Sequence, residues 1–317
     1  LYVIINGSSN IQVFDIHEDS LTPVQTIDTD GSGPREMLIH ENYLYFTNWN
    51  SVDIKKLNLN TWEIEAAIST RGLGLPEDVV FNDGLLYVSI TMNEDWSDGN
   101  QVVSINPNND SIVHIYEVGS GPGNLLVHDD EIYISRTYYD EYWNAFYGTS
   151  KINADGTILI ANYGSGTAAC GGGVYSYQNA VYRLYDGGVA RIDDELQIMP
   201  ETRIGNFNSW EVYSADVIGE YIYFGLSDYA APDEVVVVNV EGDEVNRYQV
   251  GAIPGDFGSY CLSDGDINSD SFSNILDIVQ IIENIITDAG YDCVSDINAD
   301  NMVNILDIII LVELILD

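Results

Sequence analysis

Basic side chains are scarce in this chain. Ten Lys and Arg stand against 51 Asp and Glu over 317 residues, for a formal net charge of −41. Such a surface repels nucleic acid and anionic membranes and attracts divalent cations; a salt-adapted source also favours this balance. Long apolar runs are missing too. The richest, Ile305 to Leu316, is interrupted by Asp307 and Glu313 and falls short of the roughly 18 residues a membrane span needs, so no membrane insertion is expected. Histidine is rare, with four in the chain. No His cluster suits zinc, no nucleophile sits beside a base, and no glycine-rich loop suits phosphate, so an enzyme is not expected. Paired carboxylates of a glycosidase are not singled out by any spacing. No signal peptide is visible: the chain opens on Leu1-Tyr-Val-Ile-Ile, as a processed mature chain would.

Cysteine is also sparse. Of three, Cys261 lies five residues before one acidic loop and Cys293 three before another. Their matched placement suggests a disulfide across a 33-residue segment, worth about 2–4 kcal/mol; free buried thiols are the alternative. Cys170, in Ala-Ala-Cys-Gly-Gly-Gly, reads as a small core residue.

What is abundant is organised in two ways. The last fifty residues carry a duplicated loop. One copy places oxygen side chains at Asp266, Asn268, Asp270, Asn274 and Asp277, the other at Asp296, Asn298, Asp300, Asn304 and Asp307. These are positions 1, 3, 5, 9 and 12 of a loop that wraps one Ca²⁺, with backbone carbonyls of Phe272 and Met302 at position 7. Two such loops imply two Ca²⁺ sites. Each runs into an apolar stretch at helical spacing, Ile275 to Ile286 and Ile305 to Leu316. The unit is therefore loop then helix, twice, without the preceding helix of an EF-hand. Position 6, where the loop turns sharply, is Ser271 in one copy and Asn301 in the other.

This pattern, over residues 261–317, resembles the type I dockerin. The resemblance implies calcium-dependent folding and docking onto a cohesin-like partner. Positions 10 and 11, which help dockerins select a partner, are Ile275-Leu276 and Ile305-Leu306. These apolar pairs either bind a partner or pack against the chain's own body.

Residues 1–260 alternate like β-sheet and repeat. Gly33-Pro34, Leu75-Pro76 and Gly121-Pro122 each open a unit that continues into Leu-Tyr-Phe or Ile-Tyr-Ile strands, with weaker copies from Gly171 and Trp210. A further opening at Pro254 has no strands after it. Pro34 and Pro254 lie 220 residues apart, five steps of 44. A period of 40–50 residues with about four strands each marks an all-β propeller. Six blades are expected, the N-terminal strands closing the last; seven is the alternative if two weak repeats have merged. The openings and strands loosely resemble YVTN/NHL-like secreted propellers.

The b–c loops of a propeller share a face. The densest aromatic cluster, Tyr138, Tyr139, Tyr142, Trp143, Phe146 and Tyr147, falls on the blade-three loop and offers a partner surface or a stacking platform for a glycan. Packing over a neighbouring blade is the plainer reading. Glu36, Asp78, Glu211 and Asp256, at blade openings, either ring the central channel around a cation or bond backbone amides. The expected protein is an extracellular, calcium-binding interaction protein. Its partner is a cohesin-like domain or another copy of itself, in a filament or layer. The alternative is a cohesin-docked member of a polysaccharide-binding or polysaccharide-degrading complex.

Overall fold

In strands with apolar residues at successive positions, both faces have to be covered, and here adjoining sheets cover them. The computed structural model describes residues 1–17, 20–165, 172–259, 265–268, 270, 272–287, 292–298 and 302–316. It divides into two units, Leu1–Phe257 and Gly258–Asp317.

The first unit holds six antiparallel sheets. The N-terminal sheet is β1 (Tyr2–Ile5), β2 (Asn10–His17) and β3 (Ser20–Asp28). Blade one is β4 (Pro34–His40), β5 (Tyr43–Asn48), β6 (Asp53–Asn58) and β7 (Ile64–Ser69). Blade two is β8 (Leu75–Asn82), β9 (Leu85–Met92), β10 (Asp98–Asn106) and β11 (Ser111–Glu117). Blade three is β12 (Pro122–His128), β13 (Glu131–Tyr139), β14 (Ala145–Ile152) and β15 (Ile158–Ser165). Blade four keeps three strands, β16 (Val174–Tyr177), β17 (Ala180–Tyr185) and β18 (Gly188–Arg191), and replaces the fourth with single bridges, Val189 to Ile204 and Ile192 to Ile198. Blade five is β19 (Val212–Ile218), β20 (Tyr221–Leu226), β21 (Asp233–Val238) and β22 (Glu244–Val250). In every sheet the strands follow chain order, so the unit is a six-bladed β-propeller, as the repeat length predicts.

The burial follows from this plan. Second and third strands lie mid-sheet and are buried almost throughout, as in Leu44, Tyr45 and Phe46 of β5 or Leu86, Tyr87 and Val88 of β9. Outermost strands such as β3 and β22 are mostly exposed. Core residues gather between adjacent blades: Ile54 and Ile68 of blade one pack with Leu86, Val88 and Ile105 of blade two. The blade openings need glycine for a steric reason. Gly74 has φ +137°, and a Cβ there would lie 2.2 Å from the Met92 carbonyl oxygen; Gly121 has φ +66° and would meet the Thr137 carbonyl oxygen at 1.9 Å.

The described part of the sixth opening, residues 254–259, forms no strand. It is held to blade five instead. The Ile253 N–H donates to Asp233 at 2.6 Å and Ser214 Oγ to the Pro254 carbonyl at 2.5 Å.

The second unit holds α1 (Ile275–Thr287) and α2 (Ile305–Leu316), which contact each other. Each starts directly after a capping asparagine: Leu276 N–H donates to Asn274 Oδ1 at 2.9 Å, and Leu306 N–H to Asn304 Oδ1 at 2.8 Å. Ile281 and Leu311, equivalent in the two copies, are fully buried.

Candidate functional site

The two C-terminal loops are curled on their own carboxylates. In the first, Asp277 Oδ1 accepts the N–H groups of Ile267 and Asn268 at 2.8 and 3.1 Å, and Oδ2 accepts Asn274 N–H at 2.8 Å. Asp266 Oδ1 and Asn268 Oδ1 both accept Asp270 N–H at 2.9 Å, and Asp270 Oδ1 accepts Phe272 N–H at 3.0 Å. Asn274 Nδ2 donates to the Phe272 carbonyl at 2.8 Å. The second loop repeats the clamp: Asp307 accepts Asn298 N–H at 3.2 Å and Asn304 N–H at 2.8 Å, and Asn304 Nδ2 donates to the Met302 carbonyl at 3.3 Å. Asp300, Ser271 and Asn301 lie outside the described residues, as does Cys261.

Burial would raise the Asp277 carboxyl, but the three N–H donors outweigh it and hold the group below the usual carboxylate range. Among the described residues no three His, Cys, Asp or Glu side chains converge as a metal cluster. The loops also offer asparagine and backbone oxygens. A carboxylate oxygen has two lone pairs: Asp277 Oδ1 gives both to loop amides, whereas Asp277 Oδ2 and Asp270 Oδ1 accept one loop amide each and keep one for an ion. As chemistry, the donor set of acid, amide and carbonyl oxygens fits a hard cation such as Ca²⁺.

On the propeller, β13 and β14 extend as one hairpin to the pair Tyr139–Ala145. The expected cluster splits along this register. Tyr138 and Phe146 face each other across the strands, ring centroids 5.7 Å apart. Tyr147, expected at the surface, is buried by its place on β14. Tyr139, Tyr142 and Trp143 are exposed, with Trp143 at 78%. At the tip, Asp140 Oδ1 accepts the N–H groups of Tyr142 and Asn144, both at 2.9 Å, which leaves Trp143 at φ +63°. Trp96, at the blade-two tip, has φ +69° and is 61% exposed. The same i to i+3 turn recurs between β14 and β15 and between β21 and β22, and there the left-handed position is Gly156 and Gly242. Tryptophan thus occupies a conformation in which glycine is the unstrained choice.

A cavity of about 780 Å³ opens within the propeller, lined by the first strands of five blades and by Gly255 and Asp256. Glu36, Asp78 and Asp256 line it as expected. Glu211 is not in its lining; its side chain accepts from Asn208 Nδ2 at 3.3 Å in the turn before β19. Asp216 takes that place. The signal was an Asp-Val pair: Asp78 and Asp216 each accept the N–H of the valine that follows, at 2.7 Å. Asp78 also accepts Leu125 N–H from blade three at 2.7 Å. Burial, with the charges of Asp78, Glu77 and Asp256, pushes Glu36 up to about 8 against the opposing charge of Arg35. Burial raises Asp78 to about 7 and Asp216 to about 6, each against its backbone donors.

The class these features define is an all-β propeller with a small helical unit. No protein-family model matches the chain, and no curated protein matches it. Solved structures match the propeller. Hydrazine synthase of Kuenenia stuttgartiensis aligns with a TM-score of 0.59 and 13% identity over 76% of this chain and 73% of that one. A nidogen/laminin complex chain aligns at 0.52 and 11% over 76% and 90%. BamB from Moraxella catarrhalis aligns at 0.48 and 15% over 77% and 69%. At these identities the likeness is one of fold.

Proposed function

We propose that this chain is an extracellular, non-enzymatic interaction protein in which the propeller presents a binding or assembly surface. Its C-terminal unit is a dockerin-like module that holds two Ca²⁺ and attaches it to a partner. Asp266, Asn268, Asp270, Asn274 and Asp277, with the Phe272 carbonyl, would hold one ion. Asp296, Asn298, Asp300, Asn304 and Asp307, with the Met302 carbonyl, would hold the other. Calcium bound there ties each loop to the helix that follows, so its binding free energy becomes folding free energy.

The observation that carries this reading is the matched exposure of the two copies. Ile275 and Ile305 are 69% and 67% exposed, and Leu276 and Leu306 are 56% and 50%. Val279 and Ile309 repeat the match one turn later. Large apolar groups left exposed at equivalent positions of two helices are surface of the kind that marks a protein contact. The partner is a cohesin-like domain or a second copy of this chain, the latter giving a filament or layer. The pairing of Cys261 with Cys293 belongs to the same proposal, supported by their matched placement before the two loops.

Electron microscopy and light scattering of the full chain, in calcium and in chelator, test the self-assembling form. Polymers that dissolve in chelator support it, and a persistent monomer in calcium excludes it in favour of a separate cohesin-like partner. The exposed rings of Tyr142 and Trp143 favour one further reading, glycan stacking by a cohesin-docked lectin, which a glycan array tests.

A further inference from the structure

The propeller cavity has one sign of charge and an aromatic wall. Among the described residues five carboxylates line it, from Glu36, Glu77, Asp78, Asp216 and Asp256, and Arg35 is the one basic side chain. Arg35 is already committed. Its guanidinium bonds both oxygens of Glu77, at 2.7 and 3.1 Å, and lies 4.3 Å from the centroid of Trp49. That arrangement shows how this wall holds an organic cation: one carboxylate in the plane and one ring against the face. Tyr139 and Tyr213 bring further rings to the same cavity. Among the described residues no donor bonds the Glu36 carboxylate.

A metal ion fits this lining poorly. Among the described residues no three His, Cys, Asp or Glu side chains form a group that could hold a metal ion. The volume, about 780 Å³, is that of a small-molecule site rather than of an ion cage. Nor does the C-terminal module of another copy match its charge, since residues 258–317 contain no Lys, Arg or His.

We propose that the propeller cavity binds a small aliphatic cation, an ammonium or guanidinium group on a short carbon chain. The cation sits among Glu36, Asp216 and Asp256, and the chain lies along the rings of Trp49 and Tyr213. The site is independent of calcium at the C-terminal loops, so it stands or falls apart from the reading above. Because Glu36 is raised to about 8, binding at neutral pH draws a proton off the carboxyl, and the proton leaves to buffer.

The test is calorimetric titration of the full chain, held in calcium, with 1,5-diaminopentane and with 1,5-pentanediol as the uncharged control. The diamine is expected to bind at least about tenfold more tightly than the diol. Its heat at pH 7 should vary with the ionisation enthalpy of the buffer. Glu36→Gln and Asp216→Asn should each weaken it about fivefold or more and, for Glu36→Gln, reduce the buffer dependence to the share that Asp78 contributes. Thermal melts establish that both variants fold. Equal binding of the diol, no binding of either compound, or unchanged diamine affinity in both folded variants would overturn the proposal. So would Mg²⁺ displacing the diamine at equimolar concentration, which would make the cavity a metal site.

Discussion

Asp277 and Asp307 occupy the same place in two loops thirty residues apart and do the same work. Each is fully buried, and each accepts, at 2.8 Å, the N–H of the asparagine three residues before it. The carboxylate that ends each loop also fixes the first turn of the helix that follows.

Removing that carboxylate therefore damages the module even without metal. Asp277→Ala leaves the N–H groups of Ile267, Asn268 and Asn274 without their acceptor. These bonds are part-buried, and each one lost costs about 0.5–1.5 kcal/mol. Helical circular dichroism on heating in chelator should show the loss. A melt unchanged from the parent chain would mean the clamp has no structural role.

The pH dependence of the two units should differ in sign. Asp277 is held below its ordinary value, so it stabilises above the unfolded value near 4 and loses that contribution as pH falls through its folded value. Glu36, Asp78 and Asp216 are raised to about 8, 7 and 6. Between their unfolded values near 4 and these, the folded propeller binds more protons than the unfolded chain, so its stability falls as pH rises. The propeller should melt higher at pH 5 than at pH 8, and Glu36→Gln should flatten that difference. Scanning calorimetry across pH reads both effects.

The exposed tryptophans separate binding from stability. Trp143 is 78% exposed at φ +63°, so Trp143→Gly relieves the backbone while giving up little burial. Stability should hold or rise by up to about 1 kcal/mol, since glycine carries no left-handed penalty but loosens the unfolded chain. A loss above about 1 kcal/mol on chemical denaturation would mean the ring is packed rather than presented.

The blade count was legible in the sequence because blades one to three open on the same glycine constraint, and the units continue into strands with apolar residues at successive positions. The loops were legible because the oxygen spacing repeats at five positions. The sequence misled where local chemistry outweighed repetition. Tyr147 belongs to an aromatic run, yet strand register turns it inward. Glu211 follows Trp210 at the start of the blade-five repeat, yet it lies outside the cavity lining; aligning the Asp-Val pairs of blades two and five finds Asp216.

Partner attachment should depend on the apolar pairs alone. Leu276→Lys with Leu306→Lys places charge on both exposed helix starts without touching a loop oxygen. Calcium affinity should change by less than about threefold while partner capture or polymer formation is lost, as expected of central apolar contacts. Sedimentation in calcium gives the readout, and polymers of unchanged size would place the contact elsewhere.

Calcium titration of the chelator-stripped full chain in physiological salt tests the central claim most directly. About two ions should bind per chain, with one site lost in Asp307→Asn. Neutralising the exposed Asp129 should change nothing, which excludes diffuse binding to a surface of net charge −41. No saturable binding, or a stoichiometry that ignores Asp307, would contradict a calcium-held module.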